Sequence, residues 1–328
     1  MNRHVLWGVF VTIPLLLILS WLAGSQYLGI SRDYETYELF FEIVRSSLLF
    51  EDITTRFETA FTYLSYVFTR FQLSNAWIYG LFAFYALLIK ASGLIGKNIS
   101  LKIILILFVF YSSRYFPLYE YTQIRAAIAI SIAFYVFVQK EDVQYDCYHI
   151  ALLFLATLFH NSAFLFFAIY FVRRVSRFRI FVAFISIILL VKLFMQPILK
   201  ILSDFQSFQM YDNSSFGDKK ASFLPSAMAL DMFVVAIALF LWRKNSYSMK
   251  FSVFALTIGF AIYWAFIDFP VIAHRYRELT SIFALIYVIH ALQSGNAVVR
   301  YFSYAIITVS VPYYIYLYFV YDPIFVGV

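Results

Sequence analysis

Residues 150–172 read IALLFLATLFHNSAFLFFAIYFV. Such a run is long enough to cross a bilayer, since about 20 residues rising 1.5 Å each span a hydrocarbon core about 30 Å thick. Yet His160, Asn161 and Ser162 sit in its middle. Either one helix carries these polar side chains straight through, or the chain breaks there and returns. In the second reading Asn161 and Ser162 satisfy backbone groups that the break exposes. Irregular backbone at membrane depth must then be buried in protein or line a wet cavity. Each half of the run is too short to span alone, so the pair is re-entrant or tilted.

The rest of the chain sets the context. It is 63% hydrophobic, 22% aromatic and 13% charged, where a soluble domain carries about 25% charged residues. The expected fold is all-α: a single integral membrane domain over residues 1–328, forming a polytopic transmembrane helical bundle of about 10–12 membrane helices. The net charge of +7 is not a nucleic-acid footprint, because the basic residues fall at segment ends, where they set orientation. The single cysteine, Cys147, excludes an intrachain disulfide and a cysteine metal cluster. No Walker loop, HExxH, CxxC or GxSxG pattern occurs. That argues against nucleotide hydrolysis, a zinc protease or a serine hydrolase.

Clear spans lie near 5–24, 76–95, 101–117, 124–138, 178–195, 226–242, 251–267, 279–292 and 299–320. The first follows Arg3 and ends near Ala23-Gly24-Ser25; a cleaved signal peptide competes with a retained first helix, which we expect. Residues 58–75 are amphipathic and interrupted by Arg70. The cluster Arg173, Arg174, Arg177 and Arg179 marks a cytoplasmic end, as do Arg243, Lys244 and Lys250 two spans later. An inside N-terminus makes 26–57 and 196–225 outward-facing loops with amphipathic segments. If 58–75 and 150–172 each cross once, Lys97 and Lys102 face out and Arg125 faces in. If 58–75 lies on the outer surface and 150–172 dips and returns, Lys97, Lys102 and Lys140 face in, while Arg125 and His160 face out. We adopt the second topology.

Five polar places stand out, because ionisable groups in or beside membrane spans mark sites or pairs. In SRDYETY, residues 31–37, a helix puts Asp33 and Tyr37 on one face. The stretch 32–58 holds seven acids against three arginines and also reads as a solvated amphipathic surface helix. Glu58 begins an apolar segment, where an acid simply favours a first helical turn. Arg125 enters a helix rich in Ala126, Ala127, Ala129 and Ala133, small residues that permit close helix contact. It must snorkel, bind an anion, or pair with a carboxylate such as Asp33 or Glu58. Arg114 and Glu120 are placed to pair with each other. His160 can accept or donate a proton, or be a buried packing residue. Finally DFPVIAHRYRELT, residues 268–280, sets Asp268, His274, Arg275, Arg277 and Glu278 between two spans, with Pro270 supporting a turn.

These residues, in this order, resemble the EpsG family of bacterial polysaccharide polymerases, the Wzy-type group. The likeness rests on Asp33-Tyr34-Glu35-Thr36-Tyr37, on Glu58, on Ile124 to Ala129, on Phe159 to Ala163, and on Arg275 and Arg277. One departure is Arg32, where the family often has a small residue or threonine. The resemblance implies a glycosyltransferase type C-like bundle in the bacterial cytoplasmic (inner) membrane, with the active site facing the periplasm or outside. It implies joining of undecaprenyl-diphosphate-linked oligosaccharide units into O-antigen, capsule or exopolysaccharide. Membrane lipid, a chain-length regulator and a repeat-unit flippase are the implied partners.

Chemically, the leaving group would be a lipid diphosphate whose charge grows as its bond to the anomeric carbon breaks. Arg125, Arg275 and Arg277 are the candidates to stabilise it. With these cations no metal and no cofactor is required. Asp33, His160 and Glu58 are the candidate bases for the acceptor hydroxyl, and Arg32, Tyr34 and Tyr37 are candidate substrate contacts. A flippase for the same lipid would use the same arginines but usually shows pseudo-repeated halves, which the sequence lacks. A membrane glycan acyltransferase would favour a histidine-based site.

Overall fold

The computed structural model describes residues 3–55, 57–94, 97, 99–139, 146–172, 175–202, 222–321 and 323–326. Thirteen α-helices occupy them: α1 (Arg3–Ser25), α2 (Tyr34–Ser46), α3 (Thr59–Arg70), α4 (Asn75–Leu94), α5 (Leu101–Leu118), α6 (Ile124–Gln139), α7 (Cys147–Phe159), α8 (Phe164–Tyr170), α9 (Arg177–Leu202), α10 (Ser226–Phe240), α11 (Tyr247–Ala265), α12 (Pro270–Leu292) and α13 (Ala297–Tyr316). Among the described residues, four are long and apolar enough to span: α4, α5, α11 and α13 with its continuation to Tyr321. Shorter apolar helices accompany them. The chain is an all-α polytopic membrane protein. Of the outward loop expected at 196–225, residues 196–202 continue α9, and 203–221 lie outside the described residues.

The helices form two compact units. The first comprises Met1–Lys140, Gln144–Phe171 and Tyr304–Val328. In it α1 and α4 touch backbone to backbone: a Cβ on Gly24 would lie 2.5 Å from the Ala76 carbonyl and 3.1 Å from the Gly80 Cα. Close approach of small residues is how helices pack where lipid removes a hydrophobic drive. Helices α4 and α6 run parallel. The Tyr79 hydroxyl reaches the Tyr121 carbonyl (2.8 Å), and the Gln139 amide reaches the Gly93 carbonyl (2.8 Å). Ala126, Ala127, Ala129 and Ala133 are all buried in this packing. Helix α5 therefore runs the opposite way, and Lys97 and Lys102 lie at the end of the unit away from Arg125.

Helix α7 stops at His160, which is extended (φ −157°, ψ 113°), and a 3-10 turn over Asn161–Ala163 leads into α8. The Asp146 amide donates to the Tyr170 hydroxyl (3.2 Å), and the His149 and Tyr170 rings meet edge to face at 6.3 Å. Residue 170 thus returns to the level of residue 146. The segment is a hairpin broken at His160, the arrangement that the second topology requires.

At the end bearing Arg125, the chain is tied by a short antiparallel pairing of Ile30–Ser31 with Phe325–Val326. The Tyr121 hydroxyl accepts from the Leu28 amide (2.8 Å) and donates to the Gly29 carbonyl (2.9 Å), and its ring packs on Phe325.

The second unit comprises Glu141–Val143 and Val172–Ser303. Helices α11 and α12 pack closely at Gly259, where an added Cβ would meet the Thr280 hydroxyl. The Tyr263 hydroxyl and Trp264 indole hold the Ser222 and Phe223 carbonyls (2.5 and 2.9 Å). The turn expected around Pro270 falls at residues 266–269, and Pro270 itself opens α12, which takes in His274, Arg275, Arg277 and Glu278. Proline at a first helical position loses nothing, since that N–H has no intrahelical acceptor.

Candidate active site

Glu58 organises the site. It is the N-cap of α3, yet its carboxylate makes no bond to that helix's own N–H groups. It turns to α6 and α7 instead. Oε2 accepts from Arg125 Nη1 at 2.5 Å, and Oε1 takes His160 Nδ1 and the Asn161 amide, each at 3.2 Å. The side chains are largely covered: 7% exposed for Glu58, 9% for His160 and 16% for Arg125. The break at His160 makes this possible. A continuing helix would bond the Asn161 amide internally; ending α7 at Phe159 frees it for Glu58.

Burial alone would push the Glu58 carboxyl up. The His160 bond, the Arg125 charge and the Asn161 amide outweigh burial and hold it down at about 2. Glu58 is therefore held as an ionised acceptor. Because a carboxylate can only accept, the proton of a neutral His160 lies on Nδ1, and the basic nitrogen is Nε2.

Arg125 has a second set of neighbours, Tyr37 on α2 and Phe57 just before α3. Its guanidinium lies 4.2 Å from the Phe57 ring centroid and 6.0 Å from that of Tyr37. Its Nε–H is buried and meets no hydrogen-bond acceptor among the described residues. An unpaired buried donor on a cation costs stability unless an anion occupies the position. Burial pushes the Tyr37 hydroxyl up; Arg125 opposes this and Asp33 adds to it. Asp33 is thus close to Tyr37. It is the N-cap of α2, and the Tyr37 ring packs on Tyr79 at 5.7 Å, as Tyr34 does at 5.2 Å. Tyr34 is raised to about 12 by burial and by Glu38. Arg32 donates to the Pro323 carbonyl at 2.6 Å, just before the C-terminal strand.

Thus Asp33, Tyr37, Glu58, Arg125 and His160 gather at one end of the first unit. Arg275 and Arg277 belong to the second, on the first turns of α12. There Arg277 is buried and meets Glu278 at 3.2 Å, and His274 packs edge to face on Tyr263. Among the described residues no three His, Cys, Asp or Glu side chains converge as a metal set would.

A second buried ion pair lies on another face of α6 and was missed by sequence reasoning. Lys90 Nζ binds Glu120 Oε1 at 2.5 Å and also holds the Ser131 hydroxyl. Tyr111 donates to Glu120 Oε2 at 2.6 Å. Glu120 is therefore Lys90's partner rather than Arg114's, and Arg114 lies over the rings of Tyr115 and Tyr314, 4.7 Å from each. The available signal was Lys90 itself, a lone cation in an apolar span.

The EpsG family model matches residues 9–326 of the chain. No curated protein and no solved structure matches it.

Proposed function

Since the chain belongs to the EpsG family, we propose that it is a polysaccharide polymerase, a membrane glycosyltransferase that joins lipid-diphosphate-linked oligosaccharide units. The observation that carries this is the Arg125–Glu58–His160 chain. It couples a cation with an unspent, buried donor to a histidine whose tautomer is set.

His160 Nε2 takes the proton of an acceptor sugar hydroxyl. The hydroxyl oxygen forms the new bond to the anomeric carbon of the donor. The bond from that carbon to the diphosphate oxygen breaks, and the electron pair leaves with the lipid diphosphate. Arg125 stabilises the charge that grows there; Arg275 and Arg277 are proposed to do the same from α12. Glu58 holds His160 and balances the imidazolium that forms. Asp33 is the second candidate base, and Arg32, Tyr34 and Tyr37 are proposed to contact the substrate. The donor is proposed to be undecaprenyl-diphosphate-linked, in a bacterial inner membrane, with a chain-length regulator and a flippase as partners. We place the site on the non-cytoplasmic side because Lys97 and Lys102 mark the other end as cytoplasmic. A type C glycosyltransferase architecture belongs to the same proposal.

The test is complementation of a strain lacking the gene. His160→Ala and Arg125→Ala should abolish long polymer while single lipid-linked units collect on the outer leaflet. Collection of units on the cytoplasmic face would instead indicate transport.

A further inference from the structure

Helices α2 and α3 form a hairpin that is too short to cross a membrane: at 1.5 Å per residue, the 12 residues of α3 extend about 18 Å. The hairpin nevertheless does not stand above the bundle. Phe61 packs on Phe82 of α4 at 4.7 Å, and Phe68 stacks on Tyr85 at 6.5 Å. These partners lie about 10 and about 15 Å along α4 from its first residue, Asn75. α3 therefore lies against the middle turns of α4, a helix long and apolar enough to span.

The outward faces agree with that depth. On α2 the buried residues are Tyr37, Phe40, Phe41 and Val44. Glu35, Glu42 and Arg45 form an exposed polar stripe, and Leu39 and Ile43 are exposed between stripe and core. A helix lying in a membrane interface needs such a division. At the hairpin tip Leu48 is 82% exposed, Phe71 73% and Leu49 62%. These are not ends hanging loose. Arg70 donates to the Ser47 carbonyl, the Tyr66 hydroxyl to the Leu48 carbonyl (3.1 Å), and Arg45 to Asn75 Oδ1 (2.8 Å). The tip is fastened to the first turn of α4, beside the exposed Trp77, where an indole suits the interface. The apolar tip therefore continues the lipid-facing surface of a spanning helix.

We propose that the α2–α3 hairpin is a monotopic element lying within one leaflet, with Leu48, Leu49 and Phe71 seated among lipid acyl chains and the Glu35, Glu42 and Arg45 stripe at the headgroups. The site at the base of α3 is then level with membrane lipid rather than with bulk water. The inference stands apart from the proposed chemistry.

The test uses full-length protein with Cys147→Ser and one new cysteine, Leu48→Cys, Phe71→Cys or Glu51→Cys, in vesicles of phosphatidylcholine and phosphatidylglycerol. Leu48→Cys and Phe71→Cys should react with a charged maleimide about tenfold more slowly than Glu51→Cys, the factor expected when a leucine-sized group partitions into an apolar phase. Attached bimane should be quenched by doxyl-labelled lipid and not by aqueous iodide. Labelling of all three at one rate, with quenching by iodide, would overturn the proposal. Circular dichroism and gel filtration of each variant ensure that misfolded protein is not scored.

Discussion

Glu58 and His160, 102 positions apart, meet across 3.2 Å where α7 ends. The arrangement rests on three local events: α3 begins at Thr59, α7 stops at Phe159, and Arg125 lies in the first turn of α6.

Glu58→Gln keeps the volume but cannot balance Arg125 or fix the His160 tautomer. Polymer synthesis should fall about 100-fold, at the low end of what a positioned acid–base pair contributes. Glu58→Asp, which retains charge with a shorter reach, should fall less. Polymer formed per unit time by purified protein measures both.

Acid should weaken the site. Glu58 sits at about 2 when folded, against an ordinary value of 4.5. A depressed carboxyl contributes stability that is present above the unfolded value and lost as pH falls through the folded one. The melting temperature should therefore drop between about pH 4.5 and about pH 2 in the parent, and this part of the drop should be missing in Glu58→Gln.

Lys90→Met should destabilise strongly, by about 3 kcal/mol or more, because it leaves Glu120 buried and uncompensated. Pairing it with Glu120→Met should recover most of the loss. Thermal unfolding of the two variants in detergent compares them. A double variant no better than the single one would contradict the assignment of Lys90 and Glu120 as partners.

Gly24→Ala should disturb the α1–α4 crossing, since the new methyl meets the Ala76 carbonyl at 2.5 Å. A cost of about 1–3 kcal/mol is expected for such overpacking, read as a lower melting temperature. Gly295→Ala, where nothing lies within 4 Å, should show no such steric loss.

The sequence made some of this plain and hid the rest for physical reasons. Long apolar runs marked the helices, and the polar break at 160–162 pointed to the hairpin, because backbone at membrane depth must find partners. The alanines of α6 foretold its burial. Glu58 as a partner of Arg125 was one of two carboxylates considered, and only distance selects between them. The Glu58–His160 contact was not visible, because periodicity says nothing of residues 102 apart. Lys90–Glu120 was hidden likewise: Arg114 is nearer to Glu120 in sequence, but Lys90 is nearer in space. Arg275 and Arg277 were placed between two spans, because the charges interrupt the apolar run; the helix in fact opens at Pro270, straight after the turn, and carries them.

The most direct test is to supply purified protein in vesicles with a lipid-diphosphate-linked repeat unit and to follow polymer and released lipid diphosphate together. The account predicts that both appear in step in the parent protein, and that His160→Ala and Arg125→Ala each abolish both while the protein stays folded. Polymer formation at the parent rate by folded His160→Ala would contradict it.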